Sequence, residues 1–379
     1  MNRLATADRL TMGDKLRLLN WGLVALIVAI GGLGIALLYS AGGKHWHPWA
    51  EAQLTRFVPG LVLMLILALV DIRVWLRIAY PFYGAMLFLL VVVEIMGHVG
   101  MGAQRWLSFG FFVVQPSELM KIALVLALAK YFHGMSLEDI GRPTRLLLPA
   151  AMVAAPVGLV LLQPNLGTAT LLMLASAAIF FVGGVRWWKF AIIIGLAAIM
   201  APIAWHHLHD YQRARLSTFL HPDADPLGAG YNILQSKIAL GSGGLFGRGF
   251  GHGTQSQLQF LPEKQTDFIF VVLGEELGMI GAYILLLLYF LLIGYGFIIA
   301  LTCRSQFGRL AAFGLTVSFF LYVAVNVSMV TGLIPVVGIP LPLVSYGGTA
   351  MLTLLIGCGI LLSISVHREV RISRTGISE

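Results

Sequence analysis

The feature that most limits this chain is its succession of apolar runs, each long enough to cross a membrane as a helix. A helix needs about 20 apolar residues to span the hydrocarbon core. That ruler places spans near 18–39, 54–71, 75–97, 115–132, 146–163, 167–184, 187–206, 267–301, 309–333 and 341–366. Only 11% of the 379 residues are charged and 58% are hydrophobic, whereas a soluble domain has about 25% charged. The expected fold is an all-α polytopic membrane protein of about ten helices, a single integral membrane domain over 1–379. The first run, Leu18 to Tyr39, is too long for a signal core and reads as an uncleaved first helix.

The formal charge of +8 reads as topology and not as nucleic-acid binding. With the N-terminus inside, Arg3, Arg9, Lys15, Arg17, Arg73, Arg77, Lys130, Arg142, Arg145, Arg186, Lys189, Arg304, Arg309, Arg368, Arg371 and Arg374 fall on inner segments, 16 of the 25 basic residues. The positive-inside rule then predicts both termini in the cytoplasm. Cys303 and Cys358 lie in separate apolar segments and form no CxxC, so neither a disulfide framework nor a thiolate metal site is expected.

The unusual polar stretches share the outer end: "GAQRWLSFG" (102–110), "QPSELMK" (115–121), "QPNLGT" (163–168), "TQSQLQFLPEKQTDF" (254–268) and "PLPLVSYGGT" (340–349). One outer loop, about 207–266, exceeds all others, and loops of that length usually carry function. Its apolar residues Leu258, Phe260 and Leu261 predict a folded or partly membrane-embedded flap. Its glycine run, "GSGGLFGRGFGHG", has no trailing Lys-Ser/Thr and is not a phosphate-binding P-loop.

Glu118 and Lys121 share a helix face at i,i+3, within two turns of the start. They read either as a structural ion pair or as a phosphate-holding Lys121 oriented by Glu118; ionisable groups inside a membrane are functional by default. Arg105 would suit a phosphate clamp because its fork matches two oxygens, and Trp106 is either an interface anchor or a substrate contact. Asp267 reads as a general base, desolvated against Phe268 and Phe270, or as a helix N-cap with Thr266 as its rival. On a continuous helix, Gly274, Gly278 and Gly281 fall near the face of Asp267 and make a smooth groove for a neighbouring helix or a lipid tail. Glu275 and Glu276 lie about two turns deeper on other faces, with Asn326 and Ser328 as expected partners. "GIPLPLVSYGGT", with Ser345, reads as an unwound or re-entrant segment or as a tight turn.

Taken together and in order, "GAQRWL", "QPSELMKIAL", "YQRARL", "DPLGAGYNILQSKIALGSGGLFGRG", "GTQSQLQFLPEKQTDFIF", "GEELG" and "GLIPVVGIPLPLVSYGGT" resemble the SEDS proteins (shape, elongation, division and sporulation), nearest to its rod-shape members. The resemblance implies a ten-span fold related to the GT-C glycosyltransferases. It implies a peptidoglycan glycosyltransferase that polymerises lipid II at the outer face of the bacterial inner membrane. It implies a class B penicillin-binding protein as partner, with the nascent glycan strand and other membrane proteins of the elongation complex. It carries an essential acid onto Asp267 and site roles onto Arg105, Trp106, Glu118, Lys121 and Ser345. Where the family usually has Asp in "QPDLGT", this chain has Asn165: if that Asp helps bind a metal in relatives, this chain binds it less tightly or differently, and if it only caps the next helix, the preferred reading, Asn serves equally well.

The expected reaction is inverting: Asp267 takes the proton of the acceptor 4-hydroxyl, and undecaprenyl diphosphate leaves the donor. Lys121, Arg105, Lys264 and a divalent cation (Mg or Mn, with Asp267 as a candidate ligand) would stabilise the leaving charge. Gln255 and Thr266 are secondary site candidates. The rival readings are a lipid II flippase and a scaffold that recruits the transpeptidase.

Overall fold

The structure is a computed structural model that describes residues 11–100, 103–108, 113–207, 213, 217, 219, 229–258, 260 and 263–373. Arg3, Arg9, Arg374, Leu261 and most of 208–228 lie outside the described residues. A helix stands for each of the ten expected spans. They are α2 (Trp21–Ala41), α3 (Trp49–Ala68), α4 (Ile72–Met96), α5 (Pro116–His133), α7 (Pro143–Leu162), α8 (Leu166–Gly183), α9 (Trp187–His207), α12 (Ile269–Thr302), α13 (Gln306–Val330) and α14 (Gly348–Val366). Short helices α1 (Met12–Leu18), α6 (Leu137–Ile140), α10 (Ala229–Gly243) and α11 (Thr254–Gln257) complete the described set. Eight of the ten are long and apolar enough to cross a membrane; the exceptions are α5 and α9. α5 carries Glu118, Lys121 and Lys130, but it sits at the centre of the bundle with most of its residues buried, so Glu118 and Lys121 face protein and not lipid, while Lys130 is half-buried in the last turn, over the Tyr80 ring. α9 contributes a shorter apolar stretch, Trp187–Met200. The protein is a multi-pass membrane protein.

The all-helical expectation needs one addition. β1 (His98–Gly100), β2 (Ala103–Ser108) and β3 (Val113–Val114) form a small antiparallel sheet in order β1-β2-β3 between α4 and α5. It lies at the bundle end that carries the polar motifs, where Thr349 donates to the Val113 carbonyl.

The segment before α14 is not helical from 341, as the hydropathy suggested; helix begins at Gly348. Residues 341–345 are buried and irregular, and their backbone groups find partners one by one. Tyr289 donates to the Pro342 carbonyl at 2.6 Å, Gln53 to the Ser345 carbonyl at 3.0 Å, and the Leu341 N–H donates to Ser345 Oγ at 2.7 Å. Non-helical backbone at membrane depth is tolerated where protein supplies its hydrogen bonds. The segment is unwound, and it also turns: the N–H groups of Val344 and Ser345 both donate to the Leu341 carbonyl, at 3.3 and 3.0 Å, so unwound backbone and a turn before α14 are both present.

α12 is also broken. Gly278 has φ 67° and ψ −164° inside it. A continuous helix would bond the N–H groups of Met279 and Ile280 to the carbonyls of Glu275 and Glu276. Instead residues 244–249 insert between them. Met279 N–H donates to Gly244 at 2.9 Å and Ile280 N–H to Leu245 at 3.2 Å, while the N–H groups of Arg248 and Gly249 donate to Glu275 and Glu276 at 3.0 Å each. Two helix bonds are replaced by four bonds to the outer segment. The break cancels the helical-wheel argument for a glycine groove: Leu240 packs on Gly274, and Leu245 and Gly247 pack on Gly278.

Candidate active site

The backbone that presents Asp267 is held by three consecutive carbonyls. Tyr346 N–H donates to Gln265 at 2.8 Å, Ser345 Oγ to Thr266 at 2.5 Å, and Asn326 Nδ2 to Asp267 at 2.9 Å. The donors come from the unwound segment before α14 and from α13, so three elements meet at this turn. The N-cap of α12 is Phe268, with no side-chain cap. Thr266 Oγ1 instead donates to the carbonyl and carboxylate of Glu263. Neither Asp267 nor Thr266 is therefore the helix cap. Asp267 is half-buried, with Oδ2 3.3 Å from where a Cβ on Gly338 would sit.

Glu275 and Glu276 are not deeper than Asp267. Glu276 accepts from Ser40, next to the last residue of α2, with both oxygens 2.6 Å away. Asn326, which holds Asp267, is four residues from the end of α13. Both ends of the half-helix are thus anchored at the same end of the bundle, and its nine residues, about 14 Å long, run across that end. Glu275 accepts from the Gln255 N–H at 2.8 Å and from Thr254 at 3.2 Å. The expected partners Asn326 and Ser328 do not reach either acid, because Asn326 donates to Asp267 and Ile339. Gln255 sits in this clamp, away from Asp267. The acids pin the outer segment onto α12.

Glu118 and Lys121 pair as their spacing predicts, 2.5 Å apart and both buried. The sequence did not reveal their third partner, Tyr322 of α13, which donates to Glu118 at 2.7 Å and accepts from Lys121. Tyr322 is 201 residues from Lys121, so no local pattern could connect them. It lies one turn before Asn326, so the ion pair and Asp267 occupy successive turns on one face of α13. Lys121 also lines a small, partly open cavity between α5, α12, α13 and α14. Leu292, Leu315, Phe319, Leu354 and Leu361 make its walls apolar.

The remaining predicted residues divide into braces and neighbours. Arg105 donates through Nε to Gln163 at 3.0 Å and through Nη2 to Pro164. Two of its five donors thereby tie the sheet to the α7–α8 corner, which differs from a guanidinium poised wholly for phosphate. Trp106, half-buried, stands opposite His98 in the ladder. Asn165 caps α8, accepting from Thr168 N–H at 3.2 Å; an Asp in its place would make the same bond, so the departure from the family pattern leaves the local structure intact. The α8 start reaches Asp267's surroundings, since Gly167 packs against Val337 and Ile339. Ser345 is a double brace, accepting from Leu341 and donating to Thr266. Lys264 is buried, 5.9 Å from the Trp49 ring centre. Burial pushes its ammonium below the usual lysine range, and the charge of Glu276 opposes that shift.

Among the described residues no three His, Cys, Asp or Glu side chains gather as a metal site. A magnesium-like ion, however, binds through one or two carboxylates and takes its other oxygens from water and substrate phosphate. Asp267 fits such a role as a single ligand.

A family model described as FtsW/RodA/SpoVE cell cycle protein matches residues 16–370. The chain belongs to that family. Among relatives of the FtsW/RodA/SpoVE family, it is 44% identical over 368 residues to the peptidoglycan glycosyltransferase MrdB of Escherichia coli K12, covering 96% of this chain and 97% of MrdB. A chain from a structure described as "Structural coordination of polymerization and crosslinking by a peptidoglycan synthase complex" superposes with TM-score 0.80 at 36% identity, covering 93% of this chain and 98% of that one. The crystal structure of the rod shape determining protein RodA of Thermus thermophilus superposes with TM-score 0.69 at 33% identity, covering 93% and 97%.

Proposed function

We propose that this protein, a peptidoglycan glycosyltransferase by its family and relatives, polymerises lipid II at the outer face of the bacterial inner membrane, with Asp267 as general base. The observation that carries the assignment of the base is its setting. A half-buried carboxylate is presented by a turn with three braced carbonyls, beside apolar Phe268 and Phe270, and the α13 residue that holds it, Asn326, stands one turn from Tyr322, the partner of the buried Lys121. Such fixed geometry suits a base that must meet one hydroxyl. Asp267 takes the proton from the 4-hydroxyl of the acceptor GlcNAc. The oxygen forms a bond to C1 of the donor MurNAc from the face opposite the diphosphate, the C1–O bond breaks, and undecaprenyl diphosphate leaves with its electron pair. The configuration at C1 inverts.

Lys121 provides positive charge near the leaving diphosphate, and the apolar cavity below it suits part of the polyprenyl tail. That cavity takes the role expected of the glycine groove, which the outer segment fills. A divalent cation, when bound, would add charge stabilisation, with Asp267 as its one protein carboxylate. The basic residues at the opposite bundle end support a periplasmic site and cytoplasmic termini. The partner we assign is a class B penicillin-binding protein, in keeping with the synthase complex that this chain resembles.

The test is purified protein in liposomes with labelled lipid II, scored for polymer and for flipping in one sample. The wild type should make polymer, and Asp267→Asn should make none while keeping its thermal unfolding temperature. Polymer from Asp267→Asn would remove Asp267 as base. Flipping without polymer would favour the transporter, and full function of Asp267→Asn in cells would favour the scaffold.

A further inference from the structure

Asn326 is completely buried on α13, and its side-chain amide has two N–H donors. Nδ2 donates to the Asp267 carbonyl at 2.9 Å and to the Ile339 carbonyl at 2.7 Å. These carbonyls belong to the two segments that define the position of the carboxylate. Asp267 carries it, and Gly338, next to Ile339, is the backbone against which its Oδ2 rests. One side chain therefore sets the distance between the base and the wall behind it. Its orientation is forced, since a flipped amide would aim Oδ1 at two carbonyl oxygens. In the forced orientation Oδ1 is buried with no hydrogen-bond partner among the described residues. A buried acceptor left in this state is unfavourable. Leucine or threonine would avoid the orphaned oxygen, but neither supplies two donors to two carbonyls.

We infer that Asn326 is a positioning residue for the glycosyl transfer: it holds the Asp267 turn and the 338–339 backbone in the register that points the carboxylate at the acceptor hydroxyl. It touches no reacting atom and acts through the backbone of both segments. The inference rests on Asp267 being the base.

The experiment compares Asn326→Ala, Asn326→Gln, Gly338→Ala and Asp267→Asn in lipid II polymerisation by the full chain, with kcat, KM, a pH–rate profile and thermal unfolding for each. A displacement of about 1 Å at a reacting group lowers rate by about 100-fold. Asn326→Ala should lower kcat by that order with KM within about twofold, and should move the acid limb of the pH–rate profile. Asn326→Gln keeps both donors one methylene further out and should recover part of kcat. Gly338→Ala keeps the Asn326 amide but strains the left-handed backbone at 338 (φ +73°) and puts a methyl 3.3 Å from the carboxylate, and should reproduce the kcat loss and the displaced limb.

Wild-type kcat in Asn326→Ala overturns the inference, as does a loss that appears in KM or only in unfolding temperature. If Asn326→Ala is not recovered folded, Asn326→Gln decides: lowered kcat with unchanged KM supports positioning, and wild-type kcat overturns it. An active Asp267→Asn overturns the base itself. An inactive Asp267→Asn beside a fully active Asn326→Ala overturns positioning alone.

Discussion

Gly247→Ala should open the splice between the outer segment and the broken helix. Gly247 has φ +79°, and a Cβ there would lie 2.1 Å from the Glu276 oxygen, 2.5 Å from its carbon and 2.6 Å from Gly278 N. All three are backbone atoms, so the chains must separate. The bonds nearest the clash are Arg248 N–H to Glu275 and Gly249 N–H to Glu276. Each such bond is worth about 1 kcal/mol, and a left-handed alanine costs about 1 to 2 kcal/mol. Loss of two bonds plus the backbone strain amounts to about 3 kcal/mol; loss of all four brings the sum to about 5 kcal/mol. Local opening should then become at least about 100-fold more populated, at 1.4 kcal/mol per factor of ten. Trypsin reports this directly, because the exposed Arg248 lies inside the splice. Cleavage after Arg248, followed by mass spectrometry in nanodiscs, should accelerate by about two orders of magnitude over wild type. Gly241→Ala is the control: it lies in α10 with nothing within 4 Å of a Cβ, and should stabilise the helix by about 0.5 to 1 kcal/mol. Wild-type cleavage of Gly247→Ala, or equal acceleration by Gly241→Ala, would refute the splice as the anchor of the outer segment.

Two further outcomes follow from the buried charges. Lys121→Met or Glu118→Leu alone should destabilise the bundle by about 3 to 5 kcal/mol, because each leaves a buried charge without its partner. The double variant should regain most of that stability by thermal unfolding yet stay inactive in polymerisation; an active double variant would make the pair structural only. Burial holds Lys264 below its ordinary value of 10.5. Between its lowered folded value and 10.5 the unfolded chain binds more protons, so this group makes stability rise with pH across that window. Lys264→Met should flatten the rise in unfolding temperature as pH increases there, and an unchanged slope would show that the Lys264 ammonium is not desolvated by the fold.

Much of this bundle was legible from local pattern. Apolar runs of about 20 residues located the helices because burying backbone in lipid demands a helix of that length. Glu118 and Lys121 met because i,i+3 spacing puts two side chains on one face whatever the rest of the chain does. Asn165 capped α8 because its acceptor, the Thr168 N–H, is three residues away. The prolines and glycines of 338–347 announced irregular backbone for the same local reason.

Other features depended on partners far along the chain, and only the tertiary structure decided them. The wheel through Gly274, Gly278 and Gly281 assumed helix bonds that residues 244–249 replace. Glu276 looked deep in a span until Ser40, 236 residues away, placed it at the bundle end. Arg105 and Ser345 looked like substrate contacts, yet much of their hydrogen bonding holds loops together. Tyr322 and Asn326, which complete the ion pair and the Asp267 turn, carry no spacing signal at all. By itself the sequence determined which segments are helical and which residues share a face, because those follow from bonds within a few residues. It left open where each polar group finds its partner, because that depends on which helices pack together.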